Sequence, residues 1–429
     1  MHKASLDNCK ATGSRRHLFL HIAGTFLLSV IITLLFWVVL PANFKQSDNS
    51  DYAAFYEPVA RNILDGSGIV QNNGSAAIRY PPGYPILLAG IFGLAHVFGL
   101  PENLVHSGFI LLCMGLSSMF VFLLAQKIWG MRGGWLSALF FMTYPFVLWL
   151  TKQLNSEVPF MAAFYASLYI FWLGLKGHKN AWILLLLAGI LAGVAMLIRA
   201  IAIGAGFLLF GLFLALKKDT PIKPRFLLAL VLWLGNFLVV LPWQVWVYGQ
   251  SGQVVLLGTN GVPSIRDGLT FAVKLKNYRQ EIAIPADVAN LQNEFVAESA
   301  SMNSFGEILE TLGKHFVKEP MAVIELYLIK AARSWYGTDS GRMEAGILII
   351  QGFYGVLVFL ATIGIWRVRN PRTEGLLLFI WGFVFYFWLM TILVLSILRY
   401  MTPAIGLFAL LIPQLVNIAS HRLSLLRSR

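Results

Sequence analysis

The sequence predicts an all-α protein embedded in a membrane, with about ten transmembrane helices. Hydrophobic residues make up 58% of the 429 residues and charged residues only 12%, whereas about a quarter of an ordinary soluble domain is charged. The apolar residues form repeated runs of about 20, the length that a helix needs to cross about 30 Å of hydrocarbon. Because so few charged side chains remain to face water, the composition excludes a soluble globular domain.

The limits of the predicted spans follow from the Lys, Arg, Pro or Gly residues that separate the apolar runs. We expect the first run to be a retained anchor, since it is too long for the core of a signal peptide and lacks a small-residue cleavage site. A further run, 84–100, is ambiguous because it is short, contains His96 and follows Pro81-Pro82. The predicted spans are 18–40, 104–126, 133–150, 157–175, 181–198, 200–216, 226–247, 345–366, 375–397 and 401–419.

The positions of the basic residues predict the topology. The net charge of +13 could indicate nucleic-acid binding, but Lys and Arg lie in short clusters between apolar runs, where they orient helices instead. If 84–100 does not cross, most clusters fall on the side of the amino terminus; if it crosses, most face outward. We therefore predict that both termini are cytoplasmic and that 84–100 is an interfacial helix on the outer face. The short outer loops then hold only Lys152, Arg199 and Arg399.

Two large outer segments, 41–103 and 248–344, are predicted to lie along the membrane as parts of a single membrane-embedded domain, 1–429. In the first, Asp51–Leu64 has the pattern of an amphipathic helix that ends at Gly66. Its candidate capping residues are Ser47, Asp48 and Ser50.

In the second outer segment, the stretch Ile308–Trp335 repeats apolar residues at helical spacing. We expect this stretch to lie on the membrane with its cationic side chains facing water. The polar side is predicted to carry Lys314, Lys318, Lys330 and Arg333.

Charged residues at the outer ends of the spans are the candidate functional groups, because ionisable groups at membrane depth cost several kcal/mol unless they are paired or hydrated. A carboxylate there can accept a proton from an acceptor hydroxyl, and guanidinium groups can hold a phosphate leaving group. This set suits group transfer from a lipid phosphate. Its members are Asp48, Asp51, Arg79, Glu157, Arg199 and Arg399.

Each of these residues also has a structural explanation. Asp51 can cap a helix, and Glu157 can be a first-turn carboxylate that the helix dipole favours. Arg199 and Arg399 can be anchors that snorkel to the interface. The aromatic turn Arg79–Pro85 is of the kind found at any membrane interface. The functional hypothesis therefore rests on the set and on its location at one membrane face.

The order of the motifs resembles that of the C-type glycosyltransferases, in the group of the dolichyl phosphate mannose protein mannosyltransferases and the lipid A aminoarabinose transferase. Asp51 and Gly66 resemble the acidic residue and the helix-ending Gly of that family's first outer loop. Arg79–Leu100 resembles its aromatic turn and membrane-surface helix. Glu157, ahead of Pro159-Phe160, resembles the second acidic site.

The later motifs continue this resemblance. Arg199 resembles the family's basic residue at the outer end of a later span, and Leu241-Pro242-Trp243 resembles the Pro-Trp that precedes the second large loop. Arg399-Tyr400, followed by Pro403, resembles the late basic-aromatic-proline signature, where the basic side chain meets the lipid phosphate. The resemblance covers nearly the whole chain.

The resemblance implies a transferase that moves a sugar from polyprenyl phosphate to a lipid, glycan or protein hydroxyl. It implies Asp51 as general base, a second catalytic carboxylate at Glu157, and inversion at the anomeric carbon. The phosphate would be bound by Arg399, Arg199 and Arg79, and the cavity would be lined by Asp48, Tyr80, Tyr84, Trp243 and Tyr400.

The resemblance does not imply a metal cofactor, because Tyr80-Pro81-Pro82 stands where the aminoarabinose transferase has a metal-binding Glu. We predict no cofactor, although a divalent metal remains compatible with the chemistry. The compact loops favour a bacterial inner membrane, with the site on the periplasmic side.

Two other functions are compatible with a multi-pass chain. A transporter or flippase of lipid-linked glycans would place charges or helix breaks near mid-membrane and would show internal repeats; the sequence shows neither clearly. A glycan polymerase or ligase would share the lipid-linked donor but join longer chains. The sequence separates it poorly from a single-sugar transferase.

Overall fold

The structure, a computed structural model, describes residues 2–41, 51–177, 180–274, 281–368 and 373–418, and in these ranges it consists of helices and connecting segments without a named strand. The predicted all-α fold is confirmed. The helices are α1 (His2–Val39), α2 (Glu57–Leu64), α3 (Gly83–Phe98), α4 (Glu102–Met142), α5 (Pro145–Leu150), α6 (Glu157–Leu175), α7 (Ala181–Ile198), α8 (Ala205–Leu216), α9 (Ile222–Ser251), α10 (Gly261–Leu269), α11 (Phe271–Lys274), α12 (Ala286–Glu298), α13 (Phe305–Lys318), α14 (Pro320–Arg333), α15 (Glu344–Arg367), α16 (Leu376–Leu393) and α17 (Leu398–Ala409).

In the described part of the chain, 8 helices are long and apolar enough to cross a membrane. Helices α6 and α7 have the limits predicted from the sequence. Helix α4 joins two predicted spans, 104–126 and the start of 133–150, and is broken at Gly130, whose φ of 80° and ψ of −174° are not helical. The apolar stretch Ala200–Leu216, which contains α8, is shorter than these eight candidate spans. The count of about ten spans remains a prediction.

Helices α7 and α9 pack so closely that their contact requires glycine. A Cβ atom added to Gly189 would clash with the carbonyl oxygen of Leu232, and one added to Gly235 would clash with that of Leu186. Small residues allow helix backbones to approach in a membrane, where van der Waals contact drives association. Helix α7, whose carboxyl end contributes to the site described below, is therefore packed directly against α9.

Replacing Gly189 by Ala is expected to destabilise the protein by about 1–3 kcal/mol, because the backbones of α7 and α9 must separate to admit the methyl group. The measurement is the midpoint of thermal unfolding of the detergent-solubilised protein. The matched control is Gly211→Ala in α8, where an added Cβ meets no atom within 4 Å. Equal midpoints for Gly189→Ala and the wild type would contradict the proposed close contact.

Helix α3, within the first outer segment, contacts α7 at its beginning and lies near α2 at its end. Its first residue, Gly83, contacts the last turn of α7, since an added Cβ would lie 2.5 Å from the carbonyl oxygen of Leu197. Shortly after its other end, Glu102 at the start of α4 pairs with Arg61 of α2 at 3.0 Å. The guanidinium of Arg61 also lies 4.6 Å from the ring centroid of Phe92 in α3. Both ends of α3 are thus held by neighbouring elements, and the position of 84–100 along the outer face remains a prediction.

The stretch Ile308–Trp335 forms two helices, α13 and α14, and not one. The two helices are separated at Glu319, whose φ of −139° and ψ of 65° are not helical, because a proline disfavours the helical conformation in the residue before it. The prediction that Lys330 and Arg333 face water is wrong: they are 0% and 2% exposed. Hydrophobic periodicity assigns cations to the polar side, but these two donate hydrogen bonds to buried carbonyl oxygens instead.

The stability of the folded protein is expected to rise between about pH 7 and pH 10 because of Lys330. Burial, followed by the nearby charge of Arg333, lowers the pKa of Lys330 to about 7, whereas an unfolded Lys has a pKa of about 10.4. Between these values the unfolded chain binds a proton that the folded one does not, so raising the pH favours the folded state. Thermal unfolding at pH 7, 8 and 9 measures this trend.

The matched variants for this prediction are Lys330→Met and Lys314→Met, the latter at a side chain that is 70% exposed. We expect Lys330→Met to reduce the rise in unfolding temperature with pH and Lys314→Met to leave it unchanged. The same slope in all three proteins would show that Lys330 does not titrate in this range.

Candidate active site

Three charged side chains meet where α6, α7 and α17 come together. Glu157 is the first residue of α6, Arg399 lies in the first turn of α17, and Arg199 caps the carboxyl end of α7. Since the start of α6 contacts both the end of α7 and the start of α17, α7 runs antiparallel to the other two helices. The helix ends therefore bring residues that are distant in the sequence to one end of the bundle.

Glu157 lies between the two arginines. Its Oε1 is 2.8 Å from Nη1 of Arg199 and 3.7 Å from Nε of Arg399, and the side chain is 2% exposed. Arg199 Nη1 also donates to Ser156 Oγ at 3.0 Å. Neither Glu157 oxygen accepts a well-aligned hydrogen bond from the described residues, so its contacts are ionic. The carboxylate holds the two guanidinium groups near each other in spite of their like charge.

Arg399 retains hydrogen-bonding capacity. Its contact with Glu157 is long, and its Nη2 lies 3.6 Å from Oδ1 of Asp339, a side chain that is 54% exposed. The buried Nε donates no hydrogen bond to any described residue. The guanidinium carbons of Arg399 and Arg199 lie 5.4 Å and 5.0 Å from the ring centroid of Tyr400. Both contacts of Arg399 with carboxylates are long, so its guanidinium group can still donate hydrogen bonds to another oxyanion.

Asp51 lies at the start of the first outer helix, but its carboxylate is used differently from a cap. Residues Tyr52–Tyr56 form one turn of π-helix, and within 51–56 the Asp51 side chain makes no capping hydrogen bond. Its Oδ1 accepts a hydrogen bond from Tyr80 Oη at 2.9 Å and lies 3.8 Å from Nη2 of Arg79. The helix ends near Gly66, whose φ is 78°, as predicted.

An aromatic cluster connects Asp51 to the buried ion pairs. The ring of Tyr56 lies 5.2 Å from that of Tyr80 and 5.0 Å from that of the fully buried Tyr84. Tyr56 also interacts electrostatically with Asp51, Glu157, Arg199 and Tyr400, and its burial raises the pKa of its hydroxyl. The phenol therefore stays protonated at neutral pH. The carboxylates of Asp51, Glu157 and Asp339 all lie close enough to Arg399 to interact with it electrostatically.

The beginning of the second outer segment contacts Arg79 of the candidate site. Asn260 Oδ1 accepts a hydrogen bond from Arg79 Nε at 3.2 Å, and its backbone N–H donates to the carbonyl of Arg79 at 3.1 Å. Trp243 is buried, and its indole N–H donates to Leu257 O at 2.8 Å. Gly258 allows close approach, since an added Cβ would lie 2.6 Å from Arg79 O. Through its hydrogen bond to Leu257, Trp243 fixes the chain next to Gly258 and Asn260, which contact Arg79.

The structure brings together most of the residues predicted for the site. Asp48 lies outside the described residues. Four residues that contact the site were not predicted from the sequence: Tyr56, Ser156, Asn260 and Asp339. Only Ser156, next to Glu157, had a local signal; the others are ordinary loop or interfacial residues until the chain is folded. In the described residues no group of three His, Cys, Asp or Glu side chains is arranged to hold a metal ion.

The arrangement of the membrane helices is that of the C-type glycosyltransferase fold, as the likeness to solved structures shows. The chain is similar in structure to the Archaeoglobus fulgidus oligosaccharyltransferase in its apo form, with a TM-score of 0.54 and 12% identity over 95% of this chain and 52% of the other. It is also similar to the same organism's oligosaccharyltransferase AglB in complex with an inhibitory peptide and a dolichol-phosphate, with a TM-score of 0.53, 12% identity and coverage of 95% and 51%. The chain thus spans about half the length of these proteins.

Residues 80–246 match the model of the dolichyl-phosphate-mannose-protein mannosyltransferase family. The predicted resemblance to the C-type glycosyltransferases is confirmed, as a match over these residues and as a likeness of fold. ArnT from Cupriavidus metallidurans bound to undecaprenyl phosphate matches with a TM-score of 0.42 and 12% identity over 93% of this chain and 77% of that one, which is too weak to establish a common fold. No curated protein sequence matches the chain significantly.

Proposed function

We propose that this protein transfers a sugar from a polyprenyl phosphate donor to an acceptor hydroxyl at the non-cytoplasmic face of the membrane. The observation that carries the proposal is the state of Arg399: its side chain is 19% exposed, and its guanidinium lies 3.7 Å from Glu157 and 3.6 Å from Asp339, distances too long for hydrogen bonds. Guanidinium groups bind phosphate by paired, charge-assisted hydrogen bonds. A lipid phosphate at the membrane boundary fits that unfilled capacity.

Asp51 is proposed as the general base. Its carboxylate takes the proton of the acceptor hydroxyl while the acceptor oxygen attacks the anomeric carbon of the donor sugar. The bond between that carbon and the phosphate oxygen breaks, and the electron pair leaves with the polyprenyl phosphate. Attack from the side opposite the phosphate inverts the anomeric configuration. The Tyr80 hydroxyl, 2.9 Å from Oδ1, orients the carboxylate.

The arginines are proposed to stabilise the leaving phosphate, whose negative charge grows as the bond breaks. Arg399 is the principal ligand, and Arg199 supports it across the ring of Tyr400. Arg79 lies on the Asp51 side and is 47% exposed, which suits a contact with the approaching donor. Glu157 is buried and paired, so we assign it to positioning the arginines and not to proton transfer.

The distribution of basic residues supports the proposed sidedness, with both termini cytoplasmic and the site periplasmic in a bacterial inner membrane. The acceptor is a lipid, glycan or protein that carries a hydroxyl group. No metal is assigned a step in this mechanism. A single domain, 1–429, remains the proposed organisation.

The test uses the purified full chain in liposomes with a panel of radiolabelled polyprenyl phosphate sugars and a membrane extract that supplies acceptors. We expect label to leave the donor lipid and free polyprenyl phosphate to accumulate, with an inverted linkage in the product. Transport of intact lipid-linked sugar across the bilayer without cleavage would instead establish a flippase. Use of a sugar nucleotide without the lipid donor would overturn the proposed substrate class.

A further inference from the structure

A second buried ion pair lies behind the proposed phosphate site. Arg333, at the end of α14, and Glu344, at the start of α15, approach to 2.7 Å between Nη2 and Oε1, and their side chains are 3% and 2% exposed. The Arg333 guanidinium also lies 4.4 Å from the ring centroid of Phe271. Neither charge faces solvent, so the pair is part of the interior of the outer segment.

This pair is hydrogen bonded to two chain segments at once. Arg333 Nη1 donates to Ser396 O at 2.9 Å, and Nη2 donates to Thr338 O at 2.8 Å. Glu344 Oε1 accepts from the Thr338 backbone N–H at 2.9 Å. A backbone bond between Leu398 N–H and Gly337 O, at 2.8 Å, joins the two segments directly.

Each of these segments ends in a residue of the site. Asp339 follows Thr338 immediately, and Arg399 follows Leu398 immediately. A third buried ionisable side chain, Lys330, donates to the carbonyl oxygens of Gly268 at 3.0 Å and of Val394 at 3.1 Å, and so holds the second segment at Val394, upstream of Ser396. Arg333, Glu344 and Lys330 therefore fix, through hydrogen bonds, the backbone segments that immediately precede Asp339 and Arg399.

We propose that the buried Arg333–Glu344 pair is a positioning device that sets the place of Arg399, and thereby the affinity of the protein for the phosphate of its lipid donor. The proposal rests on the proposed function, because it assigns the phosphate to Arg399. Arg333 and Glu344 do not touch the phosphate themselves.

The energetics favour a positioning role over one in stability. Burying two charges costs several kcal/mol per ion, and buried pairs are often replaceable by well-packed apolar residues without loss of stability. What apolar residues cannot supply is the set of directed hydrogen bonds to Ser396 and Thr338. Because Arg399 has only long contacts with its carboxylate neighbours, its position depends on the backbone of 396–398.

The test compares donor use by the wild type, Arg333→Lys and the double variant Arg333→Met/Glu344→Met. Lys keeps the charge but cannot reproduce the fork of guanidinium hydrogen bonds. We expect both variants to raise the KM for the polyprenyl phosphate sugar and the Kd for undecaprenyl phosphate by about 10- to 100-fold, with a smaller change in kcat. The double variant covers the case in which Arg333→Lys does not fold, because it leaves no unpaired buried charge.

The controls separate this proposal from the proposed function. Lys314→Gln breaks an exposed pair with Glu310 on the same outer segment and is expected to change neither constant. Arg399→Ala gives the reference for loss of the phosphate contact. If Arg399→Ala weakens undecaprenyl phosphate binding but folded Arg333→Lys and the folded double variant bind it normally, the positioning role is overturned and the proposed function stands. If wild type and Arg399→Ala bind the lipid equally, Arg399 is not the phosphate ligand, and the positioning proposal falls together with that part of the proposed function.

Discussion

Replacing Asp51 by Asn is expected to lower kcat for sugar transfer by about 10²- to 10⁴-fold, the usual contribution of a positioned general base. Asn has nearly the same shape, and its side-chain oxygen can still accept the hydrogen bond that Tyr80 donates at 2.9 Å. It cannot take a proton from the acceptor hydroxyl. The loss should therefore fall on the chemical step while the donor lipid still binds.

The measurement for this variant is single-turnover transfer from a labelled polyprenyl phosphate sugar, together with the Kd for undecaprenyl phosphate. The matched control is Asp65→Asn, which makes the same change at an exposed carboxylate of the same outer segment. We expect that control to retain full activity. Normal turnover by Asp51→Asn would remove Asp51 from the role of base.

Replacing Arg399 by Ala is expected to lower kcat/KM for the lipid donor by about 10²- to 10³-fold, as for removal of a donor that stabilises developing negative charge. The physical reason is twofold. The leaving phosphate loses its principal cation, and Glu157, which is 2% exposed, loses part of the charge that compensates its burial. Arg399→Lys is expected to recover only part of the loss, because an ammonium group cannot bind phosphate with the paired geometry of a guanidinium.

This prediction is checked by steady-state kinetics at varied donor concentration, with thermal unfolding to establish that the variant is folded. Arg342→Ala is the control, since Arg342 is an exposed arginine of the second outer segment, close in sequence to Asp339. If the folded Arg399→Ala protein showed unchanged dependence on donor concentration and unchanged kcat, Arg399 would be an anchor of α17 and no more.

The membrane helices could be predicted from the sequence because their signal is local. An apolar run between charged residues fixes both the length and the ends of a span, and α6 and α7 have the predicted limits for that reason. Glu157 and Arg199 could be nominated because they stand at such ends, where an ion needs a partner. The partnership between them could be inferred only in part, since it depends on α6 and α7 being antiparallel neighbours.

The contributions of the outer segments could not be predicted in the same way. In the sequence, Asp339 is a loop carboxylate with no local signal. It lies near Arg399 because the segment after α14 is hydrogen bonded to the segment before α17. Lys330 and Arg333 were assigned to water on the basis of helical periodicity. Helical periodicity cannot predict that a basic side chain will be buried, when its hydrogen-bond partners are backbone carbonyl oxygens from distant parts of the chain.

The central claim is that Asp51 and Arg399 act on one lipid-linked donor from a shared site. A structure of the full chain in a lipid nanodisc with a polyprenyl phosphate sugar tests it most directly. We expect the phosphate within hydrogen-bond distance of the Arg399 guanidinium and the anomeric carbon facing the Asp51 carboxylate. A phosphate bound at the opposite end of the helices, or an anomeric carbon screened from Asp51 by packed side chains, would contradict the account.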